Sequence, residues 1–251
     1  MSTNTTPVIA PGLAHAGPLA FATPNQMEAR GFAEGARVAA MLARSPNGPS
    51  AEPAIDAKDD AAAGLAFVLG AVGPATVVAI LPDRGAVQAR WLDAGSLAAV
   101  SAWAAELSKA GCNLYWTPNL PAASLARKPA KADMHWLRAL WADVDAKAGR
   151  TLATAYGAIL ALPMPAPSFT TATGGGFQPV WVLNPPMPAT PDAVAQAERH
   201  GAALAGLCGG DAVQDVCRIL RLPFTMNYPD ARKRDAGRVA CPSGLVRELA
   251  R

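Results

Sequence analysis

The sequence predicts an α+β protein with a mostly antiparallel sheet and helices packed on it. Two pairs of strand-like runs are each joined by a turn, residues 76–81 with 86–92 and residues 168–173 with 177–183. Runs of helical periodicity stand around them, in the order helices, hairpin, helix, strand, strand, helix, hairpin, helix. A chain of 251 residues, 51% hydrophobic and 16% charged, also has the apolar content for a sizeable core.

Residues 1–25 are rich in Thr, Pro, Ala and Gly and read as a flexible tail. Residues 26–70 read as an N-terminal helical element, one helix over 25–44 and a second over 57–69, with a Pro/Ser/Gly/Asn linker at 45–53. Gly73-Pro74 stops the second helix. The run Thr76-Val77-Val78-Ala79-Ile80-Leu81 is a buried-type strand, and Pro82-Asp83-Arg84-Gly85 turns it into the alternating strand 86–92. Residues 96–110 form an amphipathic helix ended by Gly111, and 112–117 form a strand.

A basic loop over 118–133 carries Arg127, Lys128 and Lys131. It reads as a solvated loop or as one that contacts phosphates. After the apolar run that ends at Asp143-Val144-Asp145, a helix is expected over 149–161, then the second hairpin, closed by Gly174-Gly175-Gly176. A Pro-rich loop over 184–191 leads to a helix capped by Thr190 or Asp192 and ended by Gly209-Gly210. Residues 71–240 read as the main folded unit, and 241–251 as a C-terminal tail with a weak helical stretch.

The net charge of +3 permits an anionic partner without requiring one. The four cysteines show no metal spacing and read as reduced thiols. The first residues lack the basic region and apolar run of a secretory signal, and no stretch has the roughly 18 consecutive apolar residues of a membrane span. The expectation is a cytoplasmic protein with no membrane partner.

Several chemistries find no motif. There is no P-loop, and the glycine run does not fit the dinucleotide pattern. The three histidines lie outside any HExxH context, and no GxSxG offers a serine nucleophile.

Three patches do carry chemistry. On a strand, Asp143 and Asp145 point to one face, roughly 7 Å apart along it, while Val144 points into the core. Such a pair can hold a divalent cation, although, taken alone, a strand running into a polar turn is the more ordinary account of it. The glycines at 174–176 let backbone N–H groups approach an anion, with Gln178 following. Asp215, Arg218 and Arg221 share a face if their segment is a helical turn, as a phosphate grip or as a salt-bridge ladder. Together, three acids, a glycine turn and two arginines are equipment for two-metal nucleotidyl transfer.

In this order the patches resemble the archaeo-eukaryotic primase superfamily, in particular the primase-polymerases and RepB-like primases of plasmids and phages. Trp141-Ala142-Asp143-Val144-Asp145 resembles its first motif. Thr173-Gly174-Gly175-Gly176-Phe177-Gln178-Pro179-Val180-Trp181 resembles the second, and the run from Asp215 through Arg218-Ile219-Leu220-Arg221-Leu222-Pro223-Phe224-Thr225-Met226-Asn227 the third. The run from Asn113 to Asn119 resembles the segment ahead of the first motif. Gln178 stands where many members have His, and Phe224 where the pattern has Gly.

The resemblance implies the RRM-like palm of these primases and primer synthesis on a single-stranded DNA template, in replication of a plasmid, phage or other mobile element. It implies Mg²⁺ or Mn²⁺ held by the catalytic Asp143, Asp145 and Asp215, with Asp211 in reserve. Nucleoside triphosphates would be held by Gly174, Gly175, Gln178, Arg218, Arg221 and Asn227. Arg127, Lys128, Lys131 and Lys233 are the expected DNA contacts, and a replicative helicase fits as a partner. With no helicase or accessory domain after the module, the chain is expected to stand alone or to be the catalytic piece of a longer protein. Two alternatives stay open: a replication-initiator or single-stranded DNA-binding module with impaired catalysis, and a metal-dependent nuclease.

Overall fold

The computed structural model describes residues 53–247, apart from 86 and 148. The expected tail, the first helix and nearly all of the linker lie outside the described residues, as do the last four residues.

The fold is α+β, and its strand pairings are antiparallel. Strand β1 (Ile55–Ala57) precedes helix α1 (Ala61–Val72), whose N-terminus is capped by Asp60 accepting from Ala63 N–H. The expected helix over 57–69 therefore starts and ends later than its apolar pattern suggests. The first hairpin is β2 (Ala75–Ile80) with β3 (Val87–Leu92). Helix α2 (Leu97–Lys109) and strand β4 (Asn113–Trp116) follow. The basic loop contains a short strand, β5 (Leu120–Pro121), and a single 3₁₀ turn (Lys131–Asp133).

Strands β6 (Met134–Trp141) and β7 (Val144–Asp145) carry the acidic run, and helix α3 (Leu152–Leu160) comes next. The second hairpin is β8 (Phe169–Ala172) with β9 (Gly176–Pro188). Strand β9 runs on through the expected Pro-rich loop. The register against β6 shifts between Leu137 and Ala139, so Pro185 and Pro186 sit where no ladder hydrogen bond is required of them. Helix α4 (Pro191–Cys208) is capped by Thr190, and Gly209 ends it in the left-handed conformation, φ 63°.

The rest of the chain is β10 (Leu220–Arg221), β11 (Met226–Asn227), the short α5 (Ala231–Asp235), β12 (Cys241–Pro242) and β13 (Gly244–Val246). Where a weak helical stretch was expected at the C-terminal end, 241–242 and 244–246 are strand, and 248–251 lie outside the described residues. Strand β13 lies between β1 and β8, so the sheet extends past both ends of the expected 71–240 unit.

The larger sheet runs β1-β13-β8-β9-β6-β5, with β7 also on β9, and the smaller runs β10-β4-β2-β3. Strand β6 is buried on both faces. Ala139 and Trp141 join the core formed by α1, α2 and the smaller sheet, while Leu140 joins a second core with Phe177, Trp181, α3 and α4. This explains why 139–142 reads as one continuous apolar run instead of an alternating one. The strand emerges from this double burial at the acidic pair.

Candidate active site

Asp143 stands in the break between β6 and β7. Val144 is fully buried, as expected, and pairs with Phe177 on β9, while Asp145 pairs with Gly176. The first acidic motif and the glycine turn are therefore adjacent strands. Asp143 and Asp145 are both half-buried. Burial first, and then the charge of Asp145, push the Asp143 carboxyl up to about 6, against the pull of the Gln178 amide and Arg218.

The glycine turn is built to let other groups approach. Gly174 has φ +84°, a conformation that side chains resist. A Cβ at Gly176 would stand 2.5 Å from Val144 O and 2.7 Å from Asp145 Oδ1. The turn is fastened by Thr173 N–H donating to Gly176 O and by Ala146 N–H donating to Gly175 O, each at 2.9 Å.

Gln178 is buried, and its amide is used within the protein. Its Oε1 accepts from Arg221 N–H at 2.9 Å, and the amide donates to the Asp143 carboxylate. It bridges the first and third motifs instead of presenting a free amide to a nucleotide.

Arg221 is also buried, with no carboxylate bonded to it. Its guanidinium donates to Asn113 Oδ1 (2.8 Å), Tyr115 Oη (3.1 Å) and Asn227 Oδ1 (2.8 Å), and it stacks over the Tyr115 ring at 4.5 Å. Burial lowers its pKa, and its Nε has no partner. Asn227 in turn donates to Thr173 O at 2.7 Å, which ties the third motif to the glycine turn. Arg221 and Asn227 thus organise the site from within. Asn113 and Tyr115 belong to it too, although they were not among the expected site residues. Their signal was two polar groups at i and i+2 on an otherwise apolar strand, hence on one face.

The segment holding Asp215 is not the helical turn expected. It is a tight turn in which Arg218 N–H donates to Asp215 O at 2.7 Å. Asp215 is exposed and acts electrostatically on Lys131, whereas the charges acting on Asp143 are Asp145, Arg218 and Asp211. Of these two acids, Asp211 is the one whose charge acts on Asp143. Its N–H donates to Asp143 O at 2.8 Å, and the carbonyl approaches so closely that a Cβ at the preceding Gly210 would stand 2.7 Å from it. Lys147 forms an ion pair with the Asp211 carboxylate and also feels Asp145 and Asp143.

Among the described residues, no three His, Cys, Asp or Glu side chains are grouped closely enough to hold a metal ion. Asp143 and Asp145 nonetheless suit Mg²⁺ or Mn²⁺. These hard cations take carboxylate oxygen and bind through one or two carboxylates, with water and phosphate oxygens completing the shell. The Asp143 carboxyl, whose ionisation burial and the neighbouring Asp145 already resist, is a group that a cation relieves.

The basic loop has local acid partners. Arg127 forms a two-pronged ion pair with Asp133 (2.6 and 2.9 Å), which holds that carboxyl down to about 2, and Lys131 pairs with Glu198 at 2.7 Å. Lys128 and Lys233 are exposed, the latter on α5. No helix among the described residues is long and apolar enough to cross a membrane.

No family model matches the chain, and no curated protein matches it. Two solved structures do. The crystal structure of primase RepB' is similar at 16% identity and a TM-score of 0.49, over 75% of this chain and 56% of that one. The catalytic domain of primase RepB' in complex with initiator DNA is similar at 15% identity and a TM-score of 0.47, over 73% of this chain and 84% of that one. The match thus spans little more than half the length of the first of these proteins.

Proposed function

We propose that the chain is a DNA-dependent primase/polymerase, a nucleotidyltransferase that makes primers on single-stranded DNA from nucleoside triphosphates. The observation that carries this reading is the Asp143/Asp145 pair, set by β6 and β7 directly against a glycine turn, with the Asp143 carboxyl pushed up to about 6. An acid pair short of positive charge beside an anion-receptive turn suits a metal–triphosphate substrate.

Asp143 and Asp145 would hold Mg²⁺ or Mn²⁺, and Asp211 would add negative charge beside them. The bound cation supplies charge neutralisation at the reacting phosphate. The protein's own part is positioning. Gln178 fixes Asp143 relative to Arg221, the Arg221–Asn227–Thr173 chain fixes the turn, and Arg218 offsets the acidic charge.

The test is incubation with labelled nucleotide, single-stranded DNA and Mg²⁺ or Mn²⁺, with products read by size. Template-dependent lengthening is expected, and its loss in the Asp143→Ala/Asp145→Ala variant. Full synthesis by that variant rejects the reading.

One second reading has its own observation. Gln178, Arg221 and Asn227 are committed to internal hydrogen bonds, which favours a single-stranded DNA-binding module of the same fold with impaired catalysis. It expects salt-sensitive binding without metal-dependent turnover.

A further inference from the structure

Gly175 presents a puzzle of its own. Gly174 is glycine because of its positive φ, and Gly176 because β7 crowds it. Gly175 has neither reason. What occupies the space of its missing Cβ is the guanidinium of Arg238: a Cβ there would overlap Nη1 and lie 3.3 Å from Cζ. Arg238 is exposed, and among the described residues its side chain makes no ion pair. It is placed deliberately, nonetheless. Its N–H donates to Lys233 O at 2.9 Å, and three residues on, Cys241 fills the space of a Cβ at Gly174 and pairs with Asn227 across β11 and β12. The segment from Arg238 to Cys241 is thus laid along the turn. The residue after Gly175 packs against Asp145, so an unpartnered guanidinium and the acidic pair meet the same three glycines.

We propose that Arg238 is the phosphate-gripping residue of this turn, and that Gly175 is glycine to admit it. The ligand chemistry is a phosphate oxyanion, from a nucleoside triphosphate or from a nucleic-acid strand. This deepens the reading under Proposed function and rests on it. Arg221 is buried and bonded on three sides, whereas Arg238 presents an open fork suited to two phosphate oxygens.

The test measures binding by the full chain in metal-free buffer, with inorganic triphosphate in one arm and a labelled single-stranded oligonucleotide in the other. Arg238→Ala is expected to weaken one arm about tenfold, the loss typical of a charged hydrogen-bonded contact, and the arm affected identifies the source of the phosphate. Gly175→Ala asks only the far end of a flexible side chain to move, so the fold tolerates it, as circular dichroism checks. It should weaken the same arm, and the double variant should be no weaker than Arg238→Ala alone. Unchanged binding in both arms by Arg238→Ala, or additive losses in the double variant, overturns the proposal. If synthesis by the wild type depends on Asp143 while binding ignores Arg238, the primase reading stands and this one falls. If no synthesis occurs but binding depends on Arg238, the reverse holds.

Discussion

Asp143→Asn should stabilise the metal-free protein while abolishing primer synthesis. The carboxyl moves from 3.8 to about 6 on folding because burial and the charge of Asp145 oppose its ionisation. An acid whose folded pKa is raised favours folding in its protonated form. That stability is present below the unfolded pKa and is lost as pH rises through the folded one, here across pH 3.8 to about 6. About two pKa units correspond to roughly 3 kcal/mol above that window. Asn is isosteric and neutral, so it keeps the shape and removes the penalty. The expected gain near pH 8 is roughly 2–3 kcal/mol, or about 4–12 °C in melting temperature for a domain of this size. Thermal melts of both proteins in chelator across pH 4–8 measure it. The difference should vanish toward pH 4. Added Mn²⁺ should raise the melting temperature of the wild type and leave the variant little changed, because only a form that binds the ion gains from it. An Asn variant no more stable than wild type at pH 8, or a gain that persists unchanged at pH 4, refutes the reasoning.

Three further outcomes are expected. Asp211→Asn should reduce synthesis by at least tenfold, and Asp215→Asn should leave it within about twofold, since Asp211 and not Asp215 acts on Asp143; primer-extension rates decide between them. Phe224 sits at φ 60°, so Phe224→Gly should be about 1 kcal/mol more stable than Phe224→Ala, although both lose a buried ring; urea melts test this reversal of the usual Ala-over-Gly order. Gln178→Leu should cost about 1–3 kcal/mol and lower synthesis, because it strands the buried Arg221 N–H and releases Asp143; denaturant melts and extension assays report the two effects.

Phe224 also shows how sequence and structure meet. The family pattern resembled here has Gly at this position, and the structure supplies the reason in a left-handed backbone that Phe adopts only under strain. The ring is retained there because it is buried, with Lys58 over it at 4.7 Å.

Much was legible in the residues alone. The α+β class, both hairpins, the buried Val144 between two acids and a helix capped at Thr190 or Asp192 follow from periodicity, turn chemistry and the two-residue repeat of a strand, all of which are local; the structure selects Thr190. The acid that acts on Asp143 was legible only as a reserve candidate. Asp211 and Asp215 are four residues apart, and only the path of the chain after α4 brings the charge of Asp211, not that of Asp215, to act on Asp143. The same holds for Gln178 and Arg221, which read as free hands for a nucleotide and proved to be bonded inward. It holds as well for β1 and β13, which are too short to announce themselves and exist because β13 finds both β1 and β8. Local propensity sets what a segment can be. Which polar groups face a ligand and which are used up inside depends on contacts between residues far apart in the chain, such as Asn113 with Arg221 and Arg238 with Gly175, and only the folded arrangement determines those.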